Sequence, residues 1–354
     1  MFLKTLNITN FRNYSHLTFH FKNQITVLIG DNAQGKSNFL EAIYFLASSK
    51  SPKADKDEEL IKQADEFLRI EGEIEMDSKQ EKTSLEIAMQ MVEGRLKKKV
   101  KVNGIARRVG DYVSNLAVVL FAPEDVNLVT GSPSLRRNHL DQLLSQIDRE
   151  YKKSLTHYEN VVSRKNRILK AINEGIAGTD QLMYWSNQQA MSGEIISRKR
   201  KEFFKFINLM ERKFGDYKFD YAQSVINTER LKEYQGREVA AMNSLIGPHR
   251  DDFLFTFNNK DLAKYGSRGE QRTSVLDLKI AEVSFAETIL GTRPVLLLDD
   301  IFSELDEDHR QHVVDLSKLQ QTVIATVEFD KFLKDALKGA ELHAVKNGGV
   351  GVFS

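Results

Sequence analysis

Hydrophobic and polar positions change their period along this chain, and the changes outline its organisation. Residues 2–8 and 16–22 alternate between apolar and polar, which predicts an antiparallel strand pair. A helical period runs from Lys36 to Ala47. Short continuous apolar runs predict strands that are buried on both faces, in QITVLIG (24–30), LAVVLFAP (116–123) and RPVLLLDD (293–300). Together these patterns predict an α/β fold with a mixed sheet.

Two further regions have patterns of their own. Period-two alternation predicts a three-stranded antiparallel β lobe, in the segments FLRIEGEIEM (67–76), TSLEIAMQMV (83–92) and KKKVKVNG (97–104). From Ser134 glycine is sparse, proline is absent and long charged helices are predicted, while strand patterns resume after Gly247. We therefore expect a discontinuous α/β domain over residues 1–133 and 236–354, interrupted by an inserted α-helical arm domain over residues 134–235.

Composition narrows the possible classes of protein. The chain of 354 residues is 41% hydrophobic and 29% charged, an ordinary globular balance. The absence of cysteine excludes disulfides and thiolate metal sites and suits a cytoplasmic protein. No apolar run approaches the ~18 residues of a membrane span, and no signal-peptide pattern opens the sequence, so no membrane association is expected. The net charge is only +1, so a nucleic-acid site must be a local basic patch.

The segment GDNAQGKS (30–37) fits the phosphate-binding pattern G-x-x-x-x-G-K-[ST] between a predicted strand and a predicted helix. In this pattern glycines let the backbone wrap phosphate oxygens, the lysine reaches the β- and γ-phosphates, and the hydroxyl ligates Mg²⁺. The segment therefore predicts a site for ATP and Mg²⁺. Its predicted nucleotide-contacting residues are Gly30, Asp31, Asn32, Ala33, Gln34, Gly35, Lys36, Ser37 and Asn38.

The segment VLLLDDIFSELD (295–306) delivers Asp299 and Asp300 to the carboxyl end of a strand, where α/β sheets place ligands. One carboxylate is expected to hold the magnesium shell, and the other is placed to orient or deprotonate the attacking water. With Lys36, these aspartates are the predicted catalytic residues. An acidic turn without a catalytic role is the alternative.

The order of the motifs resembles that of the ABC-type ATPases, because SRGEQ (267–271) precedes the two aspartates and SELD (303–306) follows them. In that class the S-x-G-x-Q segment closes over the γ-phosphate held by the P-loop of a second subunit. The resemblance implies an ATP-dependent homodimer, magnesium ligation by Ser37 and Asp299, and Asp300 in the place of the catalytic acid. It also implies nucleotide contacts from Ser267, Arg268, Gly269, Glu270 and Gln271.

Further segments resemble the RecF family of SMC-like DNA-repair ATPases, namely NFRNY (10–14), FAPEDVNLVTGSP (121–133) and GPHRDD (247–252). The resemblance implies binding of DNA at gaps and at junctions of single and double strands, cooperation with RecR and RecO, and recombinase loading. Because Asp300 is one methylene shorter than the glutamate usual at this position in ABC-type sites, we expect weak, DNA-stimulated ATP hydrolysis that acts as a timer. By the same resemblance, Arg12 contacts nucleotide, Glu124 senses magnesium or water, and Thr326–Val327 occupies a switch position where ABC proteins often carry histidine.

Three basic clusters are candidate DNA surfaces, RLKKKVKVNGIARR (95–108), SRKNRILK (163–170) and SRKRKEFFKF (197–206). Their candidate phosphate contacts are Lys98, Lys99, Arg164, Lys165, Lys199 and Arg200. Solvated helix faces and a lysine-protected sheet edge explain the same clusters equally well.

A nucleotide-binding subunit of an ABC membrane transporter is the alternative function. The helical insertion and the GPHRDD segment argue against it. A purely structural SMC-like tether is disfavoured because the insertion is short and lacks sustained heptads.

Overall fold

The structure is a computed structural model that describes residues 1–75 and 82–353. Met76, the predicted end of one strand, lies outside the described residues. The chain forms two compact units. Unit 1 comprises Met1–Asp125 and Glu282–Ser354, and unit 2 comprises Val126–Ala281.

The strands in the described part of the chain are numbered in chain order. They are β1 (Phe2–Phe11), β2 (Tyr14–His20), β3 (Ile25–Ile29), β4 (Phe67–Glu75), β5 (Lys82–Val92), β6 (Arg95–Val102), β7 (Ile105–Arg107), β8 (Val118–Phe121), β9 (Tyr217–Ala222), β10 (Asp252–Phe257), β11 (Lys260–Asp261), β12 (Val295–Asp299), β13 (Thr322–Thr326), β14 (Glu341–Lys346) and β15 (Gly349–Val352).

The α-helices are numbered in the same way. They are α1 (Lys36–Ser48), α2 (Val109–Tyr112), α3 (Asn127–Thr130), α4 (Pro133–Ile147), α5 (Arg149–Asn173), α6 (Leu182–Leu209), α7 (Thr228–Ala241), α8 (Leu262–Tyr265), α9 (Arg268–Leu290), α10 (Glu307–Ser317) and α11 (Lys331–Ala336). Among the described residues, none of these helices combines the length and the apolar composition that crossing a bilayer requires.

The central sheet of unit 1 has the strand order β15-β14-β3-β13-β12-β8. Five of its strands run parallel, and only β15 pairs antiparallel, with β14. The strands β3, β13 and β12 are almost entirely buried, in keeping with their continuous apolar sequences. Because parallel strands end at the same edge of a sheet, the segments after β3 and β12 meet there, with only β13 between them.

The second sheet of unit 1 is antiparallel, with the order β2-β1-β4-β5-β6-β7. Its strands β4, β5 and β6 are the predicted antiparallel lobe. Helix α1 contacts strands of both sheets, and its side chains Phe39, Ile43 and Phe45 are fully buried. The helix that follows the phosphate loop is therefore a shared core element of unit 1.

Unit 2 contains the long helices α5 and α6, but it also contains a sheet with the order β11-β10-β9. Strand β9 lies in the region predicted to be entirely helical. Its signal was the alternation of buried Tyr217 and Phe219 with exposed Lys218 and Asp220. Because β9 pairs with β10 from Tyr217↔Phe257 to Ala222↔Asp252, unit 2 extends beyond the predicted limit at residue 235, and its boundary falls within α9.

Two basic residues that were predicted to contact DNA are enclosed in unit 2. The Arg200 guanidinium is 1% exposed and donates to Asp251 at 2.7 Å and to Asp141 at 2.6 Å. Lys165 and Glu238 form a pair at 2.7 Å in which both side chains are 1% exposed. These contacts correct the predictions for Arg200 and Lys165, because neither side chain presents its charge to a ligand in solvent.

We expect Arg200→Met to destabilise unit 2 by about 3–5 kcal/mol, because it removes the cation that is paired with the buried carboxylate of Asp251. The fluorescence of Trp185, the single tryptophan, reports on this unit during urea unfolding. Arg198→Met is the matched control, since Arg198 is about half exposed. Equal unfolding midpoints for the two variants would contradict the structural role of Arg200.

Candidate nucleotide-binding site

The phosphate loop is a tight connection between β3 and α1 that glycine makes possible. Gly35 has φ of 116°, and a Cβ there would lie 2.6 Å from the Asn13 side chain. A Cβ on Gly30 would lie 2.4 Å from the carbonyl oxygen of Val345. Both glycines are therefore required by the close approach of neighbouring segments as well as by the loop itself.

The turn between β1 and β2 holds this loop in shape. The amide of Asn13 donates to the Gln34 carbonyl at 3.2 Å and its oxygen accepts from the Asn38 amide at 2.9 Å. The buried Tyr14 hydroxyl donates to the Gly35 carbonyl at 3.0 Å. The sequence did not predict these roles of Asn13 and Tyr14, although both residues lie in the NFRNY segment.

The C-terminal hairpin supports the loop from another direction. The backbone N–H of Asn347 donates to the Gln34 side-chain oxygen at 2.8 Å, and the N–H of Gly348 donates to the Gln34 carbonyl at 3.0 Å. Gln34 is thus tied to both flanking turns. The sequence gives no local signal for this contact, which joins residues more than 300 positions apart.

Lys36 folds over the loop that precedes it. Its ammonium donates to the carbonyl of Gly30 at 2.6 Å and to that of Asp31 at 2.8 Å. Burial lowers the pKa of Lys36, although Asp300 and Asp299 act in the opposite direction. This arrangement places a cation against the phosphate loop, beside the two predicted acids.

The residues predicted to hold magnesium meet at the sheet edge. The Ser37 hydroxyl donates to one carboxylate oxygen of Asp299 at 2.7 Å, and Asp299 is buried. A hydroxyl and a carboxylate are hard oxygen donors that suit Mg²⁺. Within residues 1–75 and 82–353, no group of three or more His, Cys, Asp or Glu side chains could hold a metal ion. The remaining ligands of a magnesium ion here would be phosphate oxygens and water.

Asp300 follows directly in a left-handed conformation, with φ of 51°. Its N–H donates to the Ala325 carbonyl of β13 at 2.9 Å, which fixes the backbone at the strand end. Aspartate tolerates this conformation better than most residues. Asp299 is buried whereas Asp300 is partly exposed, so the two acids are suited to two roles.

Lys53 is a site residue that the sequence analysis did not identify. Its ammonium lies 3.0 Å from the second oxygen of Asp299 and 3.5 Å from Glu124. Burial acts to lower the pKa of Lys53, but the nearby carboxylates, chiefly Asp299, outweigh it and raise the pKa. Glu124, predicted to sense magnesium or water, is thereby linked to Asp299 through Lys53.

Arg12 is held by a buried acid of α1. Its guanidinium makes two hydrogen bonds of 2.8 Å to Glu41 and donates to the Glu59 carbonyl at 3.0 Å. The bond to Glu41 raises the pKa of Arg12. Glu41 also accepts from the Ser51 hydroxyl at 2.5 Å. The observed role of Arg12 is to join the β1–β2 turn to α1, and its contact with nucleotide stays a prediction.

The SRGEQ segment, in unit 2, forms the start of α9 as a capping box. The N–H and hydroxyl of Ser267 donate to Glu270, and the N–H of Glu270 is 3.2 Å from the Ser267 hydroxyl. Gln271 donates to the carbonyl of Leu262 at 2.9 Å. Ser267, Arg268 and Gly269 are exposed.

Neither the backbone conformation nor the space around Gly269 requires a glycine at this position. Its φ is not positive, and the nearest atom to an added Cβ would be the Ser267 hydroxyl at 4.0 Å. An external group that comes close to the backbone would account for it.

The other candidate DNA contacts differ in accessibility. Lys98 is largely buried between Asp57, at 3.0 Å, and the Phe45 ring. Lys199 is paired with Asp148 at 2.7 Å. Lys99 is exposed, and so is Arg164, whose guanidinium lies over the Trp185 ring.

Known proteins resemble this chain over nearly its full length. The family model described as RecF/RecN/SMC N terminal domain matches residues 2–348. Proteins named DNA replication and repair protein RecF from Halalkalibacterium halodurans and Staphylococcus aureus are 37% and 36% identical, with 99% of this chain covered in both and 99% and 100% of the relatives.

Solved structures are similar as well. The structure described as the recombination mediator protein RecF-ATP in the RecFOR pathway matches with a TM-score of 0.90 at 29% identity, covering 100% of this chain and 98% of that one. An SMC head bound to the C-winged helix domain of ScpA matches with a TM-score of 0.52 at 14% identity, covering 100% and 98%, a likeness of fold alone.

We expect Lys36→Met to weaken ATP binding by about 10- to 100-fold, because the variant loses a hydrogen bond between charged groups and such a loss weakens binding by about this factor. Isothermal titration calorimetry measures the affinity, and circular dichroism checks that the variant is folded. Lys56→Met, at an exposed lysine beyond the loop, is the control. Unchanged affinity in Lys36→Met would contradict the site assignment.

Proposed function

The chain belongs to the RecF family of DNA replication and repair proteins, and we propose that it acts there as an ATP-gated dimer that closes on DNA. Its ATPase fold and ATP binding follow from membership of this family. The transporter-subunit alternative has no support among relatives that match 99% of the chain. The observation that carries the proposal is the contact between Ser37 and Asp299 beside the phosphate loop.

The chemistry we propose uses the residues of this sheet edge. Lys36 would hold the β- and γ-phosphates, and Ser37 and Asp299 would hold Mg²⁺, which neutralises phosphate charge during transfer. Asp300 would orient the attacking water. Because its side chain is one methylene shorter than the glutamate usual in ABC-type sites, its contribution as a base is reduced, and hydrolysis is slow. DNA would stimulate this slow turnover, which then limits how long the dimer stays closed.

We propose that the SRGEQ segment completes the nucleotide site of a second copy of the chain. Its support is the exposed Gly269, whose missing side chain serves no contact within its own chain. The capping box uses the N–H groups of Ser267 and Glu270, so an anion at the start of α9 would meet the N–H groups of the exposed Arg268 and Gly269. ATP would then lie between two chains and stabilise the dimer.

DNA binding in this proposal uses accessible basic residues. Lys99 and Arg164 remain candidates, because they are exposed. The proposed DNA is a gap or a junction of single and double strands, and the proposed partners are RecR and RecO, which would help to load the recombinase. Since the DNA under repair is the proposed substrate, we place the action of the protein in the cytoplasm.

Mixing two inactive variants tests the shared site. Lys36→Met damages the phosphate loop. Gly269→Gln adds a side chain that its own chain can accommodate but that would block the nucleotide held by the second chain. Each homodimer has two damaged sites, whereas a heterodimer keeps one intact site. An equal mixture should recover about a quarter of wild-type ATPase activity, since half of randomly formed dimers are heterodimers with one good site of two.

Two controls make this experiment decisive. Gly236→Gln adds the same side chain at another exposed helical glycine with open space, and it should leave the ATPase activity unchanged. A tandem fusion of the two damaged chains removes any failure of weak dimers to form. A fusion no more active than its parents would show that Gly269 does not act across a dimer.

We expect DNA affinity to require ATP and to fall steeply with salt. Lys99→Ala or Arg164→Ala should each reduce the slope of log affinity against log salt by about 1, if the side chain neutralises one phosphate. Fluorescence anisotropy with a gapped duplex measures this slope, with Lys338→Ala as an exposed control. DNA affinity that is equal with and without ATP would contradict the gating.

A further inference from the structure

We propose that Lys53 is a resident counter-ion of Asp299 that competes with Mg²⁺ for this carboxylate, so that metal loading and release of Lys53 are coupled. The inference rests on the proposed ATP–magnesium site. It begins from the geometry of Asp299, whose side chain is 5% exposed. One of its oxygens accepts from Ser37 at 2.7 Å, and the other lies 3.0 Å from the Lys53 ammonium.

Electrostatics explains why the two cations would compete. A buried carboxylate without a counter-ion is strongly unfavourable, and Lys53 supplies that charge. A divalent ion held by Ser37 and Asp299 would supply it as well. Its charge would then lie within a few ångströms of the Lys53 ammonium, at a site where water screens poorly. The same carboxylate cannot attract both cations at full strength.

The segment that carries Lys53 is anchored on both sides of it. The Ser51 hydroxyl donates to Glu41 and accepts from the N–H of Lys53 at 2.9 Å. Further along, Asp57 is paired with Lys98 at 3.0 Å. Because the backbone is held at both sides, the movable part is the Lys53 side chain itself, which is 32% exposed.

A second position for the ammonium is already present. Glu124 lies 3.5 Å from the Lys53 ammonium, and its side chain is 61% exposed. When Mg²⁺ takes Asp299, Lys53 can move its charge toward Glu124 without leaving the site. Glu124 would thus act through Lys53 as a positioning residue, by offering the ammonium an alternative to Asp299.

Linkage gives the sign of the expected effects. If Mg²⁺ binding weakens the pair of Lys53 and Asp299, removing Lys53 must strengthen Mg²⁺ binding by the same factor. Lys53→Met should therefore lower the Mg²⁺ concentration that half-saturates binding of a fluorescent ATP analogue by about fivefold, near the lower end of typical coupling between two sites. Lys56→Met, at an exposed lysine of the same segment, should leave it unchanged.

The experiment titrates Mg²⁺ at fixed nucleotide and follows analogue fluorescence, with direct Mn²⁺ binding by electron paramagnetic resonance as a second readout. Glu124→Gln should raise the half-saturating Mg²⁺ concentration in the wild-type background and have no effect in the Lys53→Met background. Lys53→Arg keeps the charge and should resemble the wild type, which separates loss of charge from loss of fold.

An unchanged or higher half-saturating Mg²⁺ concentration in folded Lys53→Met would overturn the competition. An effect of Glu124→Gln that persists without Lys53 would overturn the role given to Glu124. If the wild type binds no nucleotide with Mg²⁺ present, the proposed function fails together with the inference. Normal nucleotide binding with an unaltered Mg²⁺ requirement rejects the inference alone.

Discussion

The hydrogen bond between Ser37 and Asp299 depends on the register of three parallel strands, and the site in unit 1 depends on that bond. The two residues are 262 positions apart in the chain. They meet because β13 pairs Ile324 with Val27 on one side and with Leu298 on the other. A slip of two residues, which keeps the same face of a strand inward, would move Asp299 by about 6.6 Å. The buried apolar residues of these strands therefore set the distance between Ser37 and Asp299.

Much of this arrangement could be predicted from the sequence, because it is encoded in local patterns. The phosphate loop, its flanking strand and helix, and the acidic end of β12 each have a recognisable order of residues. The antiparallel lobe follows from plain alternation. What escaped prediction is the support of the loop. Asn13 and Asn347 reach the loop from other parts of the chain through one or two hydrogen bonds. Lys53 reaches Asp299 through an ion pair. Such contacts leave no periodic trace in a sequence.

The basic residues show a different limit of prediction from the sequence. Arg200 and Lys165 were grouped with their charged neighbours along the chain, yet both lie on buried helix faces. Arg200 follows Ile196 by four positions and precedes Phe203 by three, and Lys165 lies four positions from both Val161 and Leu169. Helical spacing places each of them within an apolar stripe. Their periodicity carried the signal of burial, but only the fold could supply the acids that make this burial tolerable.

GPHRDD and SRGEQ, two segments that carry the resemblance to known families, have opposite roles in the structure. In GPHRDD, Asp251 binds the buried Arg200, and Asp252 binds Arg136 with hydrogen bonds of 2.7 and 2.9 Å. Burial lowers the pKa of His249 in the same segment to about 4, so the ring is neutral at physiological pH and bridges Tyr158 and the Ser244 carbonyl.

In SRGEQ, by contrast, the capping box satisfies the helix start and leaves Gly269 exposed without a local purpose. The side chains of GPHRDD thus make contacts within unit 2, whereas SRGEQ caps its own helix and stays exposed. A family motif therefore identifies relatives without telling which of its residues meet a ligand. The burial of a residue and its contacts within the chain decide whether it is available to a ligand. Here they favour SRGEQ over GPHRDD for contacts with nucleotide or with a second chain.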